Sequence, residues 1–341
     1  MRDANIDALK GIGILCVMAG HVLAWGSLPS KCLFAFHVPL FFFIAGAFDK
    51  TAGLGFGDVC RRIFSRCVVP YFFFSAIGVC TLPVRPDVAW NAELLKSVFW
   101  NFHPAMNGPA WFLAVLAMVQ LASWLQNKFW GTDPARGVGA MVAALGIGCM
   151  IAAMPVAWIR QLPFKLGAFF FGFALHGAGK LAGRGVPSFL AERRLGRDIP
   201  CLAVFVLLLV LLAKSSPPAH AGIPLVKSPA FFPACAAGIL AALHAVRTFQ
   251  LGNVRPLAWI GENSLHFFCL DYVALPFVVQ AFDALFPSLA VGWPVLSHGH
   301  GHGTALALFA LNLLAVAGLV VLVKPLYRAV AGLVPRAGRI Q

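Results

Sequence analysis

The chain has 341 residues, of which 60% fall in the apolar set AVILMFWYC and only 11% are charged. Soluble domains average roughly 45–50% apolar and about 25% charged, so a water-soluble globule, a disordered chain and a coiled coil are all excluded. The net charge of +14 comes from short basic clusters between apolar runs, a pattern that fits membrane topology better than nucleic-acid binding.

Apolar stretches at 9–28, 33–48, 63–82, 109–127, 137–158, 162–178, 199–214, 229–246, 264–286 and 304–327 each approach the roughly 17–25 residues needed to cross hydrocarbon. They predict an all-α polytopic membrane protein of about ten transmembrane helices. The weakest segments are 162–178, which carries Lys165, and the short 199–214, which ends at Lys214. Asp3 and Asp7 precede the first run and no small-x-small cleavage site follows it, so that run is expected to be a retained helix and not a signal peptide. In the ten-helix arrangement 19 of the 26 Lys and Arg residues fall on the side of the N-terminus, which predicts cytoplasmic N- and C-termini. The polar connections near 83–108 and 179–199 are too short to fold alone. Residues 1–341 are therefore expected to form a single transmembrane domain with no separate soluble domain, its chemistry carried by polar side chains within or beside the membrane.

Nine cysteines are scattered through the apolar runs without CxxC spacing and read as small packing residues, not as a disulfide framework or metal site. His298, His300 and His302 alternate with glycines. Such a loop supplies no second shell for a metal, so no metal site is expected.

The first run carries Asp7, Lys10 and His21. Lys10 and His21 are 11 residues apart, which places them on one helical face with a rise of roughly 16 Å between them. The second run carries His37. With the hairpin centred near Pro29, the two histidines are expected at one depth, sharing a pocket. A lone intramembrane histidine is as readily a hydrogen-bonded packing residue as a catalytic one. Two at one depth above a Lys and an Asp favour proton transfer, because imidazole titrates near neutral pH. Arg62 and Arg66 stand four residues apart at the inner end of the third run. They serve as topology anchors or as partners for a phosphate-bearing cytoplasmic ligand.

Asp7-x-x-Lys10 with His21, Phe36-His37-Val-Pro-Leu-Phe-Phe-Phe-Ile-Ala-Gly46, Arg66-x-x-x-Pro70-Tyr71, Pro109-Ala-Trp111-Phe-Leu113 and Gly261-x-Asn263-Ser264-Leu265 together resemble the integral-membrane acyltransferase 3 family, in the group similar to fucose 4-O-acetylases. The resemblance runs the length of the chain. It implies an O-acyltransferase, acetyl being the expected group, that takes an acyl group from cytoplasmic acyl-CoA as co-substrate to a hydroxyl of a cell-surface or lipid-linked glycan in the inner membrane. It also implies His21 as the catalytic histidine. One departure is plain: members commonly carry a histidine ten residues after the glycine of the Gly-x-Asn-Ser-Leu motif, where this chain has Asp271.

The residues then take the following expected roles. His21 is the general base, and protonated His37 or Asn263 is the donor to the oxyanion. Lys10, Arg62 and Arg66 bind the phosphates of the acyl donor, and Asp7, Trp111 and Asn263 line the substrate path. The expected partners are the saccharide acceptor and membrane lipids, without nucleic acid. A transporter or flippase for an anionic or sugar-containing solute would line its cavity with similar residues. Such proteins often show internal repeats and paired broken helices, and the sequence displays neither.

Overall fold

The computed structural model describes residues 3–333 apart from 25, 86–90, 101–104, 155–161, 184, 216–229 and 294–300. Among the described residues there is no β-strand. The long helices are α1 (Ala4–Val22), α2 (Leu28–Ala47), α3 (Phe56–Val84), α4 (Trp111–Trp130), α5 (Pro134–Ala153), α6 (Leu166–Ala182), α7 (Leu195–Ser215), α8 (Phe231–Thr248), α9 (Ser264–Leu285) and α10 (His302–Gly332). Nine helices among the described residues are long and apolar enough to cross a membrane. The remaining long helix, α6, has 17 residues and packs against α2 and α5. Its last turn reaches the C-terminal part of α4, where the Lys180 ammonium donates to Ser123 Oγ (3.2 Å) and Asn127 Oδ1 (2.7 Å). The chain is an all-α multi-pass membrane protein, as its composition predicts. Lys165 lies just outside α6, at its N-cap, so no charge interrupts that helix until its last turn. His298 and His300 lie outside the described residues, whereas His302 opens α10.

Local chemistry sets the helix starts. Asp3 caps α1 by accepting from the backbone N–H groups of Asn5 (2.9 Å) and Ile6 (3.4 Å), with Asp7 in the first turn beside the positive end of the helix dipole. Ser27 caps α2 and Pro29 occupies its first turn, where the missing N–H costs nothing. The hairpin turn is therefore residues 23–27 and is not centred near Pro29; Gly26 supplies its left-handed backbone (φ 77°). In α3 one π-turn, Phe64–Val68, precedes Pro70. It widens the helix where a proline ring would clash with the carbonyl four residues before it.

Helix α1 is the central strut, packed on α2, α8, α9, α10 and the short helix Arg255–Glu262. Close approach is made by glycine. A Cβ at Gly261 would overlap the carbonyl oxygen of Asp7, and one at Gly179 in α6 would overlap the carbonyl of Phe43 in α2. All nine cysteines are free thiols.

Candidate active site

The basic end of the bundle, where α1 begins and α2 ends, holds a cavity of about 580 Å³. Lys10 and Asp7 of α1, Asp49 and Lys50 after α2, and Arg62 and Arg66 of α3 line it. Lys10 and Arg62 are half-buried while Lys50 and Arg66 are exposed, so four cations converge on one opening. Asp7, 6% exposed, stands 3.7 Å from the Lys10 ammonium. The two arginines reach the cavity across the π-turn, Arg66 from within it and Arg62 from the α-helical turn before. The structure thus brings Lys10, Arg62, Arg66 and Asp7 to one cavity.

Deeper along α1, His21 meets a carboxylate that is wholly buried. Its Nδ1 lies 2.5 Å from Asp271 Oδ2 on α9, and the other oxygen, Oδ1, accepts from Asn312 Nδ2 of α10 at 2.5 Å. Asp271 and Asn312 are both 0% exposed, whereas the His21 side chain retains 14% of its surface. A carboxylate that accepts from Nδ1–H fixes the tautomer with the proton on Nδ1 and leaves Nε2 as a proton acceptor. Tyr272 packs edge-on against the imidazole, with ring centroids 5.6 Å apart.

His37 is held differently. Its Nδ1 donates to the carbonyl of Leu33, one turn earlier in α2, at 2.6 Å, so Nε2 of the neutral ring is again unprotonated. Because the hairpin turn spans 23–27, His37 lies nine residues into α2 whereas His21 lies one residue from the end of α1. The two backbones are therefore at different depths, separated along the axis by about 12 Å. Side chains lean toward the N-terminus of their helix, and in this antiparallel pair that tilts the imidazoles toward one another. His37 lies within electrostatic reach of His21. Phe34 connects them, its ring beside Gly20 of α1 and edge-on to His37 at 4.9 Å.

Asn263 and Trp111 stand apart from this pair. Asn263, between Arg255–Glu262 and α9, donates to the carbonyl of Trp259 (2.8 Å) and accepts from the Lys324 ammonium of α10 (2.5 Å). It precedes Asp271 by eight residues, about 12 Å along α9, so its amide braces the basic end and does not meet His21. Trp111 is the first residue of α4, packed in the core at 9% exposure beside Phe112, which does line the cavity.

The family model for the acyltransferase domain of the acyltransferase 3 type matches residues 3–324. The chain belongs to the acyltransferase 3 family. Among curated proteins, this member is similar to nodulation protein NolL of Sinorhizobium fredii (strain NBRC 101917 / NGR234), 28% identical over 140 residues that cover 37% of this chain and 36% of that protein. The matched segment thus spans little more than a third of the relative's length. No solved structure matches this acyltransferase 3 member.

Three polar residues of the site lie beyond the sequence reading. Asp271 stood out only as a departure from the family pattern, and its role as the partner of His21 requires bringing together residues 250 apart. Asn312 and Asn107 are single amides in apolar surroundings. Asn107, 0% exposed, donates to the carbonyls of Phe74 (3.0 Å) and Cys269 (3.1 Å), fixing the start of α4 against α3 and α9. An amide in an apolar run with no evident partner is the one sequence signal that could have found them.

Proposed function

We propose that this protein is an O-acyltransferase of the inner membrane, an O-acetyltransferase by preference, that moves an acyl group from cytoplasmic acyl-CoA to a hydroxyl of a cell-surface or lipid-linked glycan. The observation that carries the reading is the His21 to Asp271 hydrogen bond, which orients the imidazole with Nε2 directed away from the carboxylate on a ring that keeps 14% of its surface. His21 Nε2 accepts the proton of the acceptor hydroxyl as its oxygen bonds to the thioester carbonyl carbon. The carbon–sulfur bond then breaks, and the imidazolium returns the proton to the departing thiolate, so the enzyme ends the cycle as it began. Asp271 stabilises the imidazolium between the two transfers without taking its proton, and Asn312 holds that carboxylate in place. His37, unprotonated at Nε2 in the resting neutral ring, acts as a donor to the developing oxyanion only in the form that has taken up a proton there.

At the basic end the fit is electrostatic. Lys10, Lys50, Arg62 and Arg66 line a cavity of about 580 Å³ together with Asp3, Asp7 and Asp49, and Lys10 with the two arginines is the set suited to phosphate. Asp7 orients Lys10 within that set. The donor enters from the cytoplasm and its acyl end is directed along α1 toward His21.

The test is transfer of label from radiolabelled acetyl-CoA to glycan by the purified protein in detergent. Acetyl transfer without a sealed vesicle or gradient is the expected result. Solute movement in proteoliposomes, with no acetyl-CoA consumption in detergent, would replace this reading with a transporter.

A further inference from the structure

We infer that Phe41, Phe112 and Phe268 form the aperture through which the acyl end of the donor reaches His21, and that this aperture selects slim, unbranched acyl groups. The inference deepens the function proposed above and rests on it. The three rings come from three helices, α2, α4 and α9, and all three line the basic-end cavity. They meet one another pairwise, edge to face: Phe41 and Phe112 with centroids 6.1 Å apart, Phe41 and Phe268 at 6.3 Å, Phe112 and Phe268 at 5.5 Å. A triangle of rings at such separations is in van der Waals contact around its perimeter.

The triangle lies between the cavity and the catalytic pair. Along α9, Asp271 follows Phe268 by three residues, about 4.5 Å away from the basic end. Along α2, His37 precedes Phe41 by four residues, about 6 Å in the same direction. Any group that travels from Lys10 and Arg62 to His21 crosses this level of the bundle.

Two sides of the triangle are fixed and one has freedom. Phe112 (7% exposed) also packs on Phe42 with centroids 4.8 Å apart, and Phe268 is 6% exposed. Phe41 is only partly buried, and it leans on Gly13 of α1, where an added Cβ would come within 2.9 Å of its ring. Opening therefore falls to a swing of Phe41. The gap it leaves beside two packed rings suits an unbranched chain, and each additional methyl group has to displace aromatic carbon. In an apolar site, one methylene discriminates by roughly 10–200-fold.

The experiment compares acetyl-CoA with isobutyryl-CoA, reading initial rates of CoA thiol release by membranes from the native host that contain the protein and its acceptor, with His21→Ala membranes as the blank. The wild type is expected to favour acetyl-CoA by at least about 10-fold in kcat/KM. Phe41→Ala should shrink that preference by roughly 10-fold, chiefly by raising the isobutyryl rate. Phe268→Leu, which keeps the core filled, should shift it in the same direction by less, and it carries the test if Phe41→Ala fails to accumulate in the membrane. A ratio unchanged within about 2-fold in the accumulating variant, while acetyl transfer persists, overturns the aperture. Absence of thiol release from either donor by the wild type overturns the donor assignment itself, and the aperture falls with it.

Discussion

Two buried aspartates each stand beside a histidine in this bundle, and the surroundings make them opposites. Asp271 is satisfied without an arginine, by Nδ1 of His21 and the amide of Asn312, both at 2.5 Å. Asp198, in the first turn of α7, is neutralised by Arg247 of α8, whose Nε lies 3.1 Å from Oδ2, and accepts the backbone N–H of Arg194 at 2.7 Å. Its histidine, His244, stays 3.8 Å from Oδ1 and packs between the rings of Phe189 and Phe205. Arg247 is itself covered by Phe189, 4.4 Å from its guanidinium carbon. An arginine that already compensates the carboxylate leaves the neighbouring imidazole nothing to do but pack, whereas a carboxylate without one makes an imidazole its partner and sets its tautomer. The first arrangement ties α7 to α8; the second arms α1.

The comparison breaks most sharply at the histidines. His21→Ala is expected to lower acyl transfer by about 10²–10⁴-fold, the usual cost of losing a proton-transfer group, at unchanged membrane abundance, whereas His244→Ala should leave the per-molecule rate within a few-fold. Rates normalised to detergent-extracted monodisperse protein check both.

Asp198→Asn tests the other half. It strands a buried guanidinium, and removing one partner of a buried ion pair costs about 3–5 kcal/mol. The expected result is a lowered thermal unfolding midpoint in detergent with residual molecules that retain kcat. A variant as stable as the wild type would show that the Asp198 to Arg247 pair contributes nothing to holding α7 on α8.

The smallest effects belong to the basic-end cavity, where charges are partly exposed. Lys10→Gln, Arg62→Gln and Arg66→Gln should each raise the apparent KM for acetyl-CoA by a few-fold to about 10-fold while kcat changes little, the signature of lost ground-state binding. Titration of initial rate against acetyl-CoA decides it. An unchanged KM in all three assigns these residues to membrane topology alone.

Much of the fold was legible because a bilayer is a demanding solvent. Each crossing needs about 20 apolar residues in a row, and composition alone announces that. His21, Lys10 and Arg62 were legible for the converse reason, as polar groups where hydrocarbon tolerates few. The hairpin turn was misplaced because Pro29 was read as a turn residue, although Ser27 followed by a proline two residues later is a helix-start signal. That shift moved His37 to another depth, and only the tilt of side chains brings it back toward His21. Asp271 was visible as an oddity, and its meaning was not, since hydrogen bonds between α1, α9 and α10 depend on helix rotation, which hydropathy does not encode. Asn263 shows the limit of motif reading: its amide is held by Trp259 and Lys324, and the glycine before it, Gly261, serves close packing on α1.

The central claim, that Asp271 arms His21, is tested most directly by the turnover of Asp271→Asn with acetyl-CoA. Asparagine keeps the shape and the contact with Asn312 but can offer an N–H to Nδ1, reversing the tautomer and placing the proton on Nε2. The account predicts a fall in kcat of at least about 10²-fold, toward the roughly 10⁴-fold seen when a triad carboxylate becomes an amide, with the KM for acetyl-CoA unchanged. A variant that turns over within about 3-fold of the wild type would contradict it.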